Sequence, residues 1–222
     1  MADHALSAPG HHPKLRHHFV SLKQQNESAQ LGMWLFLLTE IMFFGGLFGG
    51  YAVYRWQYPQ AWADASHHLD ILLGGFNTVV LIGSSLTMVL AVQGAEKGRK
   101  GLIIGWLLAT IALGSVFLVV KYFEYADKFT HHLVPGYNFH VEAANAAQQQ
   151  LFYLFYFAMT GMHALHMIIG IAALAVLVRF AARGVFDEKY YPHVELVGLY
   201  WHFVDIVWIF LFPLLYLIGR HV

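Results

Sequence analysis

Five titratable side chains fall inside the longest apolar stretches of this 222-residue sequence: Glu40, His163, His166, His202 and Asp205. Placing such a group at the centre of a bilayer costs roughly 3 kcal/mol unless it is paired, so each needs a reason to be there. His163 and His166 are three residues apart, and His202 and Asp205 repeat that spacing; on a helix both members of each pair share one face. Glu195, seven residues before His202, extends the second stripe. Imidazole and carboxylate together can ligate a haem or a carboxylate-bridged metal pair. The same groups can instead form a hydrogen-bonded network between helices, with Glu40 accepting from a histidine and Asp205 orienting an imidazole or binding a neighbouring chain. Two histidines three apart point in nearly one direction and cannot take opposite axial positions on one haem, so bis-His ligation needs His202 across from one of them. Ligands for non-haem iron are few, and cysteine is absent, which excludes thiolate clusters and disulfides. The spacing therefore favours the network, with no metal bound.

The elements that must position these groups are set by hydropathy. The chain is 58% apolar and 12% charged, where a soluble domain carries about 25% charged residues. Mean hydropathy is +0.53, and a formal charge of zero gives no basic footprint for nucleic acid. Five runs, about 30–54, 71–95, 102–120, 149–178 and 196–219, hold almost no charge beyond the residues named above. At about 1.5 Å per residue each can cross about 30 Å of hydrocarbon as a helix. The expected architecture is an all-α integral membrane bundle of five transmembrane helices over residues 29–222. Residues 1–28 form a polar, His-rich tail that lacks the apolar core of a secretory signal and is expected to stay on the protein; His4, His11, His12, His17 and His18 show no helical stripe there. Residues 121–148 read as one long connection with a turn at Pro135-Gly136.

Lys and Arg divide unequally. Nine (Lys14, Arg16, Lys23, Lys97, Arg99, Lys100, Arg179, Arg183 and Lys189) fall on one side of the five spans, and four (Arg55, Lys121, Lys128 and Arg220) on the other. The positive-inside bias then puts the N-terminus in the cytoplasm and the C-terminus in the periplasm. Gly45, Gly46, Gly49 and Gly50 form overlapping small-xxx-small pairs that permit close helix approach or fit an irregular helix end. Tyr51, Tyr54, Trp56, Tyr190, Tyr191 and Tyr216 read as an interfacial belt, and Trp201 and Trp208 as side chains packing on a partner or on lipid.

Beyond spacing, several stretches carry a resemblance. "MTGMHALHMIIG" (159–170) and "GLYWHFVDIVWIFLF" (198–212) resemble signature stretches of subunit III of haem–copper terminal oxidases. "WLFLLTEIMFFGGLF" (34–48) is similar to the family's first core helix, with the family's intramembrane glutamate at Glu40. "FNTVVLIGSSLTM" (76–88), which contains Asn77, and "VVKYFEY" (119–125) match weaker patterns in the next two helices.

The resemblance runs over roughly residues 30–219 and implies a short, five-helix bacterial form of the cytochrome c oxidase subunit 3 family in the inner membrane. Such a subunit has no redox centre of its own. Haem and copper are expected in subunit I, against which it packs, with other oxidase subunits and a larger respiratory supercomplex as further partners. It holds phospholipid and supports proton uptake and stability of a proton-pumping oxidase. Glu40 corresponds to a glutamate known for reacting with carbodiimides, and is expected to meet His163 or His166 across the seam between the first and fourth spans. Under the same resemblance His202 and Asp205 fix the last helix, while Trp201, Trp208 and Asn77 belong to the family's packing motifs. A quinol oxidase subunit III, a nitric oxide reductase accessory protein and, from a different class, a histidine-ligated membrane metalloenzyme are the alternatives.

Overall fold

The first helix starts where Ser21 can cap it: Gln24 N–H donates to Ser21 Oγ at 3.2 Å, and the Gln24 side chain reaches back to Val20 N–H at 3.0 Å. Asp70 does the same for the next span, accepting from Leu72 N and Leu73 N at 2.8 and 3.2 Å. The computed structural model describes residues 19–136, 139–186 and 191–218. These hold six helices and no strand: α1 (Leu22–Gln57), α2 (Pro59–Ser66), α3 (Ile71–Glu96), α4 (Lys100–Thr130), α5 (Ala146–Ala182) and α6 (Pro192–Tyr216). All but α2 are long and apolar enough to cross a membrane. The short α2 begins with Pro59, whose fixed φ and missing N–H suit a first helical position. The tail histidines, Lys14, Arg16, Lys189, Tyr190, Gly219 and Arg220 lie outside the described residues.

The fourth element differs from the sequence expectation. The helix does not stop at 120; it runs ten residues further, to Thr130, and removes much of the expected 121–148 connection. The reason is that Lys121, Glu124 and Lys128 sit at i, i+3 and i+7 and turn one charged stripe into the bundle, where all three are buried. Lys121 and Lys128 are therefore not loop cations.

The most extensive helix pair is α3–α4, joined by a tight turn in which Gly98 adopts φ +61° and Arg99 N–H returns to Gly94 O at 3.0 Å. This pair packs on α5 and α6 to form the core, while α1 leans on α6 and α5 and stands off from α3. Much of α1 consequently faces outward, Trp34 and Met42 among its exposed side chains. Of the glycine series only Gly50 lies close to a described neighbour, where an added Cβ would stand 3.4 Å from the Phe155 ring; a Cβ at Gly45, Gly46 or Gly49 would meet open space. The helix continues to Gln57 past all four glycines, so they do not mark an irregular end.

Two aromatic expectations are corrected as well. Tyr51 and Tyr216 are fully buried in the bundle and do not belong to an interfacial belt; Tyr51 donates its hydroxyl to the Leu214 carbonyl beside Pro213 of α6. Trp201 and Trp208 are likewise fully buried inside the chain: Gly114 and Gly170 open a slot for Trp201, and Trp208 packs among the Phe117, His163 and Tyr216 rings.

Candidate intramembrane polar site

Glu40 sits near the middle of α1 and presents Oε2 to His166 Nε2 of α5 at 3.0 Å. The other ring nitrogen, Nδ1, is 2.7 Å from the Met162 carbonyl four residues earlier. A carbonyl can only accept, so Nδ1 carries a hydrogen and Nε2 is the nitrogen that responds to Glu40. The pair then shares one proton, either on the carboxyl or on the imidazole, and is neutral overall in both arrangements. That is the cheapest way to hold an acid and a base together in hydrocarbon. Phe44 covers the imidazole edge-on with ring centroids 5.2 Å apart, and Tyr200 OH donates to the His166 carbonyl at 3.1 Å.

His163 lies one turn earlier on α5 and takes a different environment. It is completely buried between the Trp208 and Phe117 rings, each with its centroid 5.3 Å away, and neither ring nitrogen has a hydrogen-bond partner among the described residues. The i, i+3 spacing places both histidines on the buried side of α5, yet only His166 reaches α1. Asn77 of α3 is also fully buried, its amide without a partner among the described residues. Trp208 donates from Nε1 to Thr78 Oγ1 at 3.1 Å, and Trp201 donates from Nε1 to Ser84 Oγ at 2.7 Å, which ties α6 to α3.

On α6, His202 Nδ1 is 2.7 Å from Ser85 Oγ of α3. Asp205 is 4% exposed, and among the described residues neither of its oxygens meets a partner in hydrogen-bond geometry. Ser85 lines the same cavity, and its hydrogen bond goes to His202. The five residues singled out in the sequence thus fall into three places: Glu40 with His166, His163 alone among rings, and His202 with Asp205 along one groove. Among the described residues no three His, Asp or Glu side chains converge as a ligand set.

The densest polar cluster was not among them. Lys121 of α4 is 4% exposed and donates from Nζ to Glu124 Oε2 at 3.0 Å and to Tyr216 OH at 2.7 Å. Tyr156 OH donates to Glu124 Oε1 at 2.8 Å, and Tyr216 OH donates to the same oxygen. The Lys121 ammonium also lies 4.9 Å from the Trp208 ring centroid and 5.2 Å from that of Tyr156. Reading Lys121 as a loop cation hid the cluster; the signal was the K-x-x-E-x-x-x-K spacing at 121, 124 and 128 following an apolar helical run.

Residues 16–220 match the family described as cytochrome c oxidase subunit III. The cytochrome c oxidase subunit 3 of Corynebacterium diphtheriae is 33% identical over 201 residues, 90% of this chain and 92% of that protein. The probable quinol oxidase subunit 3 of Staphylococcus saprophyticus is 30% identical over 191 residues, covering 86% of this chain and 89% of that protein. The heme-copper oxidase subunit I+III of Aeropyrum pernix is 30% identical over 198 residues, which are 86% of this chain and 23% of that longer protein.

Proposed function

Because the chain belongs to the cytochrome c oxidase subunit III family, we propose that it acts as a packing subunit of a proton-pumping oxidase and performs no redox step itself. It is subunit III of a haem–copper oxidase and a multi-pass membrane protein of bacterial type. Its partners are subunit I and other oxidase subunits, in line with the Aeropyrum pernix relative being a subunit I+III protein. The observation that carries the packing role is how the intramembrane groups are used: Glu40 and His166 join α1 to α5, and Ser85 and His202 join α3 to α6. Haem and copper belong to subunit I in this reading, and phospholipid covers the outward apolar face of α1.

In the same reading the N-terminus lies in the cytoplasm and the C-terminus in the periplasm. Taking Lys121 and Lys128 out of the loop count sharpens the charge bias to nine against two, Arg55 and Arg220. Lys100 Nζ donates to the Ala182 carbonyl at 2.6 Å, which sets the start of α4 and the end of α5 on the same, cation-rich side. The electron donor is read as cytochrome c; the Staphylococcus saprophyticus relative supports quinol as the second reading. Turnover of the purified oxidase with reduced cytochrome c and with a quinol separates them.

In the whole oxidase, Glu40→Gln is expected to leave haem and copper content and the reduced-minus-oxidised spectrum unchanged. Removing the chain is expected to lower sustained turnover several-fold and hasten inactivation while electron transfer continues. Loss of a haem or copper centre in the Glu40→Gln enzyme would overturn the packing role, as would complete loss of oxygen reduction in an otherwise assembled complex lacking the chain.

A further inference from the structure

Along the outward side of α6, where α1 stands off from α3, three cavities of about 470, 500 and 480 Å³ adjoin one another and share His202 in their walls. Together they follow α6 from Glu195 to Phe210, a distance of about 22 Å at the helical rise. The exposed residues Ile206 and Phe210, with His202 one turn earlier, form an i, i+4, i+8 ridge with a furrow on either side. This is the relief into which a second helix sets its own ridges. The α1 wall includes Gly45, where even an added Cβ would meet nothing within 4 Å, so a partner backbone can come close.

What should fill it follows from the polar groups. Asp205 is buried, meets no hydrogen-bond partner among the described residues, and is set in the wall of the cavity between α3 and α6, about two thirds of the way from Glu195 to Phe210 and among mostly apolar side chains. An acyl chain has no donor to offer it, whereas a helix side chain does. Glu96 and Glu195 stand together at one end, where they repel a lipid phosphate and suit a basic residue. A second copy of this chain docked by the same face would set Asp205 against Asp205 and Glu195 against Glu195.

We propose that the α1–α3 groove seats a transmembrane helix of another oxidase subunit, which presents a hydrogen-bond donor to Asp205 and a basic residue to Glu96 and Glu195. This rests on the chain's place as an oxidase subunit.

The chain contains no cysteine, so one introduced at Ile206 gives a single thiol in this subunit. In the intact purified oxidase, Ile206→Cys carrying a benzophenone maleimide is expected to photo-cross-link to a peptide of another subunit. The same label at Ile168 of α5, an exposed position that does not line the groove, is expected to give lipid adducts. Asp205→Asn, which keeps hydrogen-bonding capacity, should retain the Ile206 cross-link, and Asp205→Leu should reduce its yield at least five-fold. Adducts at Ile206 to lipid alone, or to a second copy of this chain, would overturn the docking proposal. A cross-link yield indifferent to Asp205→Leu would overturn the donor assignment. If the chain purifies without any haem–copper subunit, the oxidase reading itself fails, and that result is visible before any cross-linking is done.

Discussion

Glu124→Ala is expected to destabilise the subunit by about 3–5 kcal/mol, the cost of leaving a buried charge without its partner. The carboxylate is the hub of a cluster in which Lys121, Tyr156 and Tyr216 all direct donors at it, and none of the four reaches solvent. Tyr216→Phe removes one donor and leaves Lys121 on Glu124, so its cost should stay near 1 kcal/mol; interhelical hydrogen bonds in membranes average about 0.6 kcal/mol. The contrast between a broken hub and a lost spoke is the content of the prediction. It has a second arm. Replacing all four members with apolar residues of similar volume, Lys121→Met, Glu124→Leu, Tyr156→Phe and Tyr216→Phe, removes the buried charges together with every group that would be left unpaired. Such replacements are often neutral or stabilising by about 1–4 kcal/mol. Thermal denaturation of the detergent-solubilised oxidase, followed by retention of this subunit, should therefore rank the quadruple variant above Glu124→Ala. If the quadruple variant is the less stable of the two, the cluster is held by packing around its long side chains and not by electrostatic pairing.

This cluster also shows where a sequence is legible and where it is not. The five spans could be read because hydrocarbon admits only runs of apolar residues about 20 long, and that constraint acts on each run separately. The Asp70 cap and the start of α3 are local for the same reason. Glu40 could be paired with a histidine of α5 because an acid at mid-membrane demands a base, and the fourth span offers only two. Which of the two was not decidable from spacing: His163 and His166 share the buried side of one helix, and only the lean of α1 toward α5 selects His166. Lys121 and Glu124 were misplaced because a charge at the edge of an apolar run has two solutions, a water-facing loop or a paired burial. Choosing between them needs Tyr156 and Tyr216, which lie 32 and 92 residues beyond Glu124 in the chain. The separation of α1 from α3 was not legible, since the α1 wall of the groove, with Trp34, Leu37, Ile41 and Phe48, is as apolar as any lipid-facing surface.

Trp201 poses the opposite problem, that of a site defined by what its neighbours lack. A Cβ at Gly114 of α4 would stand 2.7 Å from Cη2 of the Trp201 indole, and one at Gly170 of α5 would stand 2.9 Å from Cε3 and Cζ3. The ring cannot step aside, because Nε1 is tied to Ser84 of α3 at 2.7 Å. One side chain of α6 thus sets its spacing to three other helices. Trp201→Ala is expected to cost about 3–5 kcal/mol, the range for emptying a large buried ring site. Gly170→Ala, a single added methyl, is expected to cost about 1–3 kcal/mol by overpacking. The two sites should couple. Phenylalanine at 201 is smaller and lacks the bond to Ser84, so it can yield to the new methyl, and Gly170→Ala should be at least about 0.5 kcal/mol milder in the Trp201→Phe background, the threshold at which contacting residues depart from additivity. A double-mutant cycle on the solubilised complex measures that term directly. Equal costs in the two backgrounds would mean that the glycine serves the α5 backbone itself, through closer approach to α6, and that the indole does not fix the spacing.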